Sequence, residues 1–248
     1  MDIKTFLRMN QNLKKDSRYH AFQILKKYFD SSQYAQDIID NFFNSHKISI
    51  QRRNYINNLV LGVIRNKGKF DFILNDLYDG NYSKLKSGIK YILYIGLYQL
   101  DHLNAAPNHA AVSISVDIAK LRYKGLDKLV NAILRSYLKK KHKYVLNENV
   151  KDTYKLLSHP IWLLDRWINN YGYKKTLDIC DFNNQEQTIW FRINHLRYKK
   201  EIISYVLNNN DNISFHQLHE LFFNVKNTKK LIESNLFKHG KISVQNPI

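Results

Sequence analysis

Basic side chains gather in this sequence where helices are expected to begin and end. Lys14, Lys15 and Arg18 precede and enter the first predicted helix, and Arg52 and Arg53 sit on the outward side of the third. Arg65, Lys67 and Lys69 cluster at the end of that helix, Arg122, Lys124 and Lys128 surround the turn at Gly125, and Arg135 follows. Helix ends and turns let long cationic side chains reach phosphate oxygens without disturbing a core, so these clusters offer phosphate binding. Tyr19, Tyr55 and Tyr123 lie beside them and could stack on unpaired bases, although the core is the commoner place for tyrosine.

Arrangements that make and break bonds are missing. No glycine-rich phosphate loop occurs, and no Gly-x-Ser-x-Gly nucleophile turn. His216-Gln217-Leu218-His219-Glu220 has the wrong order for a His-Glu-x-x-His zinc motif and reads as a solvent-facing histidine pair. His102 and His109 flank a loop-to-helix junction, where capping or packing is expected. The single cysteine, Cys180, lies in an apolar helix beside Leu177 and Ile179 and reads as an inert buried thiol. One cysteine excludes an internal disulfide framework and any multi-cysteine cluster. The residues therefore predict no catalytic site and no metal or cofactor site in this chain.

The elements that position the clusters are helical. Seven amphipathic stretches fill residues 17–141, with Ser17 and Ser49 as N-caps, Asp79-Gly80 ending the fourth and Pro107 opening the sixth. The fifth, around Leu85–Leu100, is apolar nearly all round and should be central. A polar stretch from Lys139 to Asp152 reads as a linker. A helix bearing Trp162, Leu163, Leu164, Trp167 and Ile168 follows, stopped by Gly172, then a short helix near Thr176–Phe182. Extended runs at Thr188–Asn194, within Ile213–Val225 and at Ile242–Val244 alternate with helices at Lys199–Leu207 and Thr228–Phe237. The expected architecture is mainly α: an all-helical bundle over residues 1–145, then residues 146–248 as a helical connector and a small β-α-β-α-β subdomain.

Composition sets the outer limits. The chain has 248 residues, 44% of them hydrophobic, with only 8 glycines and 3 prolines, which suits long helices and a packed core. Its formal charge is +18; residues 1–150 hold 25 basic and 12 acidic residues, the remainder 14 and 9. Such an excess repels itself in the compact state and implies a polyanionic partner. No apolar run approaches a membrane span, and Met1–His20 has no core of signal-peptide length, so a cytoplasmic protein with no membrane association is expected.

Three ordered segments resemble the NusB-like RNA-binding domain: Gln51-Arg52-Arg53 with Leu61–Asn66, then Ile92–Leu100, then Lys128–Arg135. The likeness covers about residues 20–140 and implies the seven-helix bundle. Pro107–Val112, Ser158-His159-Pro160 with Trp162, and Phe191–Asn194 resemble the RsmB (Sun/Fmu) family of 16S ribosomal RNA cytosine-C5 methyltransferases. Val244-Gln245-Asn246 is similar to the strand before that family's catalytic domain. The resemblance implies a ribosomal RNA partner and, in a full-length member, a Rossmann-like domain with a glycine-rich S-adenosylmethionine loop. It also implies two cysteines there, one attacking C6 of cytosine and one assisting product release. Cys180 matches neither, and no such loop is present. The chain is thus expected to be the RNA-recognition half of such an enzyme, inactive alone. The other reading is a NusB-type antitermination factor binding leader RNA and a ribosomal protein, which has no use for the Ser158–Asn194 block.

Overall fold

The computed structural model describes residues 11–103, 107–145, 153–185, 188–194, 196, 202–206, 208, 213–217, 219–225 and 228–247. The chain folds as two compact units, Met1–Asn184 and Gln185–Ile248.

The first unit opens with helices α1 (Ser17–Phe29), α2 (Ala35–Ser45), α3 (Ile50–Arg65) and α4 (Lys67–Leu77). Helices α5 (Ser87–His102), α6 (Asn108–Arg122) and α7 (Asp127–Lys140) complete the bundle. All seven predicted helices are present, and α5 is the axis: Gly88, Ile89 and every residue from Tyr91 to Leu100 are buried. One core takes in Phe22, Leu25, Ile38, Leu59, Phe70, Leu93 and Tyr137 from six of the seven helices, with Ile118 from α6. At about 25 cal/mol per Å2 of apolar surface, burial on this scale is the dominant stabilising term.

Two expected helix boundaries are corrected. Asp16, not Ser17, caps α1: it has extended backbone and its carboxylate accepts the Arg18 N–H at 2.8 Å. An aspartate one residue earlier wins because its oxygen also meets the Arg18 side chain. Helix α4 ends at Leu77 with Tyr78 as C-cap, and Gly80 does not take the left-handed conformation. Gly172 does, at φ 79°, closing α8, and so does Gly125, at φ 86°, in the turn after α6.

Carboxylates that accept tyrosine hydroxyls tie the inner helices together. Asp71 accepts the hydroxyls of Tyr82 (2.5 Å) and Tyr94, Asp76 that of Tyr144 (2.6 Å), and Asp101 that of Tyr137. Burial first, then these carboxylates, push the four phenols well above their ordinary range, so each stays a hydrogen-bond donor.

The linker expected to run to Asp152 falls partly on residues 146–152, outside the described residues. Beyond it a 3-10 turn (Thr153–Leu157) leads into α8 (Ile161–Tyr171) and α9 (Tyr173–Asn184). Leu157, Leu164 and Cys180 form a small core of their own. These elements fold within the first compact unit, which runs past the expected boundary at 145 to Asn184.

The second unit carries strands β1 (Trp190–Ile193), β2 (Ile213–Phe215), β3 (Phe222–Val225) and β4 (Ile242–Val244). Of the helix expected at Lys199–Leu207, residues 202–206 are described and helical; α10 (Thr228–Ile232) and α11 (Asn235–Lys238) follow β3. The middle extended run is a hairpin, so the order is β-α-β-β-α-β, with two strands where the simplest reading of the sequence has one. The sheet runs β2-β3-β1-β4, antiparallel throughout. Phe191, Ile193, Phe223, Val225 and Ile242 bury one face against Ile202, Val206, Leu231 and Leu236.

Candidate nucleic-acid interface

The basic residues marked in the sequence fall into three neighbourhoods of the first unit, and their side chains have different fates. Where α1 begins, Arg18 grips Asp16 with two bonds, Nε to Oδ1 and Nη2 to Oδ2, both 2.8 Å. Burial raises the Asp16 carboxyl, but its bonds to Arg18 outweigh that and hold it below the usual range. Arg52 at the start of α3 reaches the same place, with Nε donating to Ser17 Oγ at 3.2 Å and Nη2 to the Lys15 carbonyl. Arg53 donates to the carbonyls of Ile48 (3.0 Å) and Phe43 (3.2 Å) and lies over the Phe43 ring. These three arginines are half-buried and spend donors on their own chain. Lys14 and Lys15 beside them are exposed.

The second neighbourhood centres on Asp101, whose side chain is 5% exposed. Lys69 Nζ lies 2.7 Å and Lys141 Nζ 3.2 Å from its carboxylate. Lys67 pairs with Asp71 at 2.5 Å. His102 stacks on Tyr98 at 4.8 Å; burial, with Lys69, Lys141 and Arg65, lowers its pKa against the opposing pull of Asp101. The contact seen for the His102 ring is thus packing against Tyr98.

The third neighbourhood is the α6–α7 turn. Arg122, Lys124 and Lys128 are all exposed there, around Gly125 in its left-handed conformation. Their side chains make no hydrogen bond or ion pair among the described residues. The turn is anchored from below: the Leu126 N–H bonds the Tyr123 carbonyl at 3.0 Å, and the Tyr123 ring meets Phe22 edge-on at 6.4 Å. Its hydroxyl occupies the space where a side chain at Gly88 would stand. That contact brings the end of α1 alongside, so that Lys26, paired to Asp30 at 2.7 Å, feels the charge of Arg122. Lys26 was not singled out from the sequence: 96 residues separate it from Arg122, and tertiary packing such as the Phe22–Tyr123 contact brings them together. Further along α7, Arg135 is exposed and bonds Asn131 at 3.0 Å.

Cations held on a rigid turn, desolvated little and lacking carboxylate partners, can bind phosphates at small cost in lost internal bonds. The α6–α7 turn meets that description. The tyrosines considered for stacking do not: Tyr19 is core, and Tyr55 and Tyr123 pack against the core. Cys180 is fully buried, and burial pushes its thiol up. His216 and His219 stack at 5.3 Å, and among the described residues no third ligand joins them.

The NusB family model matches residues 15–139, half of the chain and the whole of the bundle. The chain belongs to the NusB family. A second model, the Methyltr_RsmF/B-like ferredoxin-like domain, matches residues 159–219. The NusB match contains every basic candidate except Lys14, and the ferredoxin-like match reaches into the strand unit. "Probable ribosomal RNA small subunit methyltransferase B" of Synechocystis is 32% identical over 184 residues, 73% of this chain and 41% of that protein. The Bacillus subtilis protein of the same name is 28% identical over 71% of this chain and 40% of its own. "Ribosomal RNA small subunit methyltransferase B" of Escherichia coli K12 is 26% identical over 74% and 42%. The chain thus spans about two fifths of the length of these curated relatives. Among solved structures, PH0851 superposes with a TM-score of 0.53 over 92% of this chain and 52% of that one. At 15% identity that likeness concerns the fold.

Proposed function

We propose that this NusB-family chain is the RNA-binding region of a small-subunit ribosomal RNA methyltransferase, holding ribosomal RNA for methyl transfer by the part of the relatives it does not span. S-adenosylmethionine would serve that other part. The observation that carries the reading is the set of uncommitted cations at the α6–α7 turn, Arg122, Lys124 and Lys128, in a chain that matches both the NusB model and the Methyltr_RsmF/B-like ferredoxin-like model. The second match also favours this reading over an antitermination factor made of the bundle alone. Lys14, Lys15, Arg65 and Arg135 are assigned secondary phosphate contacts; Arg18, Arg52, Arg53, Lys67 and Lys69 shape the surface by holding the backbone and carboxylates beneath it.

The test is binding of a small-subunit rRNA hairpin across a salt series. Phosphate contacts release counterions, so log K falls linearly with log salt at about 0.9 per contact. Arg122→Glu/Lys124→Glu/Lys128→Glu should bind much more weakly and flatten that slope by about 2 to 3. A triple variant that keeps the wild-type affinity and slope ends the assignment.

A further inference from the structure

The strand unit presents a second surface of a different chemistry. The described helices of this unit pack on one face of its sheet, through Ile202, Val206, Leu231 and Leu236. Strand alternation turns the intervening residues to the opposite face: Trp190 and Arg192 on β1, Phe222 and Asn224 on β3. These are the two central strands of the order β2-β3-β1-β4. A sheet with one face in water normally shows polar residues there. Tryptophan and phenylalanine at half-buried outward positions break that rule, and large aromatics at such places mark contact surfaces.

The geometry is that of a prepared platform. Arg192 pairs with Phe222 and Trp190 with Asn224, so Trp190 and Phe222 are diagonal neighbours, about 7–8 Å apart between Cα atoms. That spacing suits two successive bases of an extended strand. His216 meets the Trp190 ring edge-on at 5.3 Å, at 73°. The Arg192 guanidinium sits 6.0 Å from the Phe222 centroid while Nη1 donates to Gln245 Oε1 at 3.2 Å. A hollow of about 250 Å3 adjoins Arg192 and Ser243, lined also by Asn194 and Gly240. None of the four strands contains an acidic residue, and residues 185–248 hold nine basic against five acidic side chains. An anionic, planar, unpaired partner fits this set; a duplex does not, because its bases hide their faces.

We infer that the outward sheet face is a platform for unpaired RNA, with one base on Trp190, the next on Phe222 and the phosphate between them on Arg192. Aromatic residues on a four-stranded sheet stack unpaired bases in this way, whatever the bases' identity. The inference rests on the reading that the chain binds RNA, but it uses none of the cations of the α6–α7 turn.

The chain has three tryptophans, so Trp162→Phe/Trp167→Phe leaves Trp190 as the sole indole reporter. Titrating this variant of the 248-residue chain with an unstructured RNA octamer should quench its emission, and a duplex of equal length should not. In the otherwise unaltered chain, Trp190→Ala or Phe222→Ala should weaken octamer binding by roughly 5- to 150-fold, the usual loss per stacked base. Trp190→Phe keeps a ring and should retain most of the affinity, which separates lost stacking from lost folding. The same titration with Arg122, Lys124 and Lys128 all changed to Glu should still quench, so the platform can stand even if the turn is not an RNA site. Octamer binding unchanged in Trp190→Ala, or no quenching by the octamer, would overturn the platform. Quenching by a separately produced catalytic domain of a relative, with none by RNA, would assign the face to protein and equally overturn it.

Discussion

Ser158 Oγ accepts the backbone N–H of Lys69 at 2.8 Å, across 89 positions of chain. Lys69 is in the first turn of α4, where N–H groups have no partner within the helix. The residue before that helix, Asn66, cannot help, because its side-chain amide turns back to the Gly62 carbonyl at 3.0 Å. Ser158 therefore caps α4 from a distance, and it does so from a left-handed backbone at φ 58°. Its Cα packs where Gly68 has no side chain. Ser158→Ala should cost about 0.5–2 kcal/mol, the usual worth of such a cap, read as a lower thermal midpoint. Ser158→Asn, which tolerates the left-handed backbone and can still accept, should lose less. Equal midpoints for Ala and wild type would show that the cap contributes nothing.

Asp101 predicts a pH dependence. Burial alone would raise its pKa, but Lys69, Tyr137 and Lys141 outweigh burial and the net direction is down. A carboxyl with a lowered folded pKa favours the folded state once it ionises. Its contribution is fully present above the unfolded value of about 3.9 and is lost as pH falls through the lower folded value. Asp101→Asn should cost about 1–3 kcal/mol at pH 7, since it weakens charged hydrogen bonds. Denaturant midpoints of the two proteins should converge as pH drops below about 4. A gap that stays constant down to pH 2 would assign the stabilisation to shape and not to charge.

How far the sequence reaches is clear from particular residues. The seven helices were legible because apolar residues recur at helical spacing, and α5 was legible as the axis because its apolar residues run all round. The α6–α7 turn was legible because Gly125 punctuates it between exposed cations. The fates of Arg52 and Arg53 were not. Their spacing puts them on the polar side of α3, but whether an arginine there faces water or a neighbouring carbonyl depends on where the Lys15 and Phe43 backbones arrive. The β2–β3 hairpin was hidden by shortness: a three-residue strand and a connection without glycine or proline give no alternation long enough to read.

Arg53 supplies a direct check on that distinction. Its two hydrogen bonds, to Ile48 and Phe43, brace the segment between α2 and α3. Arg53→Ala should destabilise the fold by about 1–3 kcal/mol, the range for lost hydrogen bonds to a charged group plus packing. Lys124→Glu, at an exposed turn, should change stability by no more than about 0.5 kcal/mol while weakening RNA binding. Chemical denaturation and a binding isotherm on each variant separate the two roles. Arg53→Ala with unaltered stability and reduced RNA affinity would move this arginine from the scaffold to the interface.

Gly62 on α3 faces the ring of Tyr98 on α5, so closely that a Cβ there would stand 2.1 Å from Cζ. Elsewhere in a helix, Gly→Ala stabilises by up to about 1 kcal/mol through backbone entropy. Here the opposite sign is expected. Tyr98 is tied by its hydroxyl to Asn58 Oδ1 at 2.9 Å, and its ring stacks on His102, so it cannot swing aside freely. Gly62→Ala should therefore destabilise by about 1–3 kcal/mol, the range for overpacking a core. In a Tyr98→Leu background, which removes the ring atoms in the way, the same change should become neutral or stabilising. The signature is a coupling energy of at least about 0.5 kcal/mol in the double-mutant cycle. If Gly62→Ala costs the same in both backgrounds, close α3–α5 approach is not what requires glycine at this position.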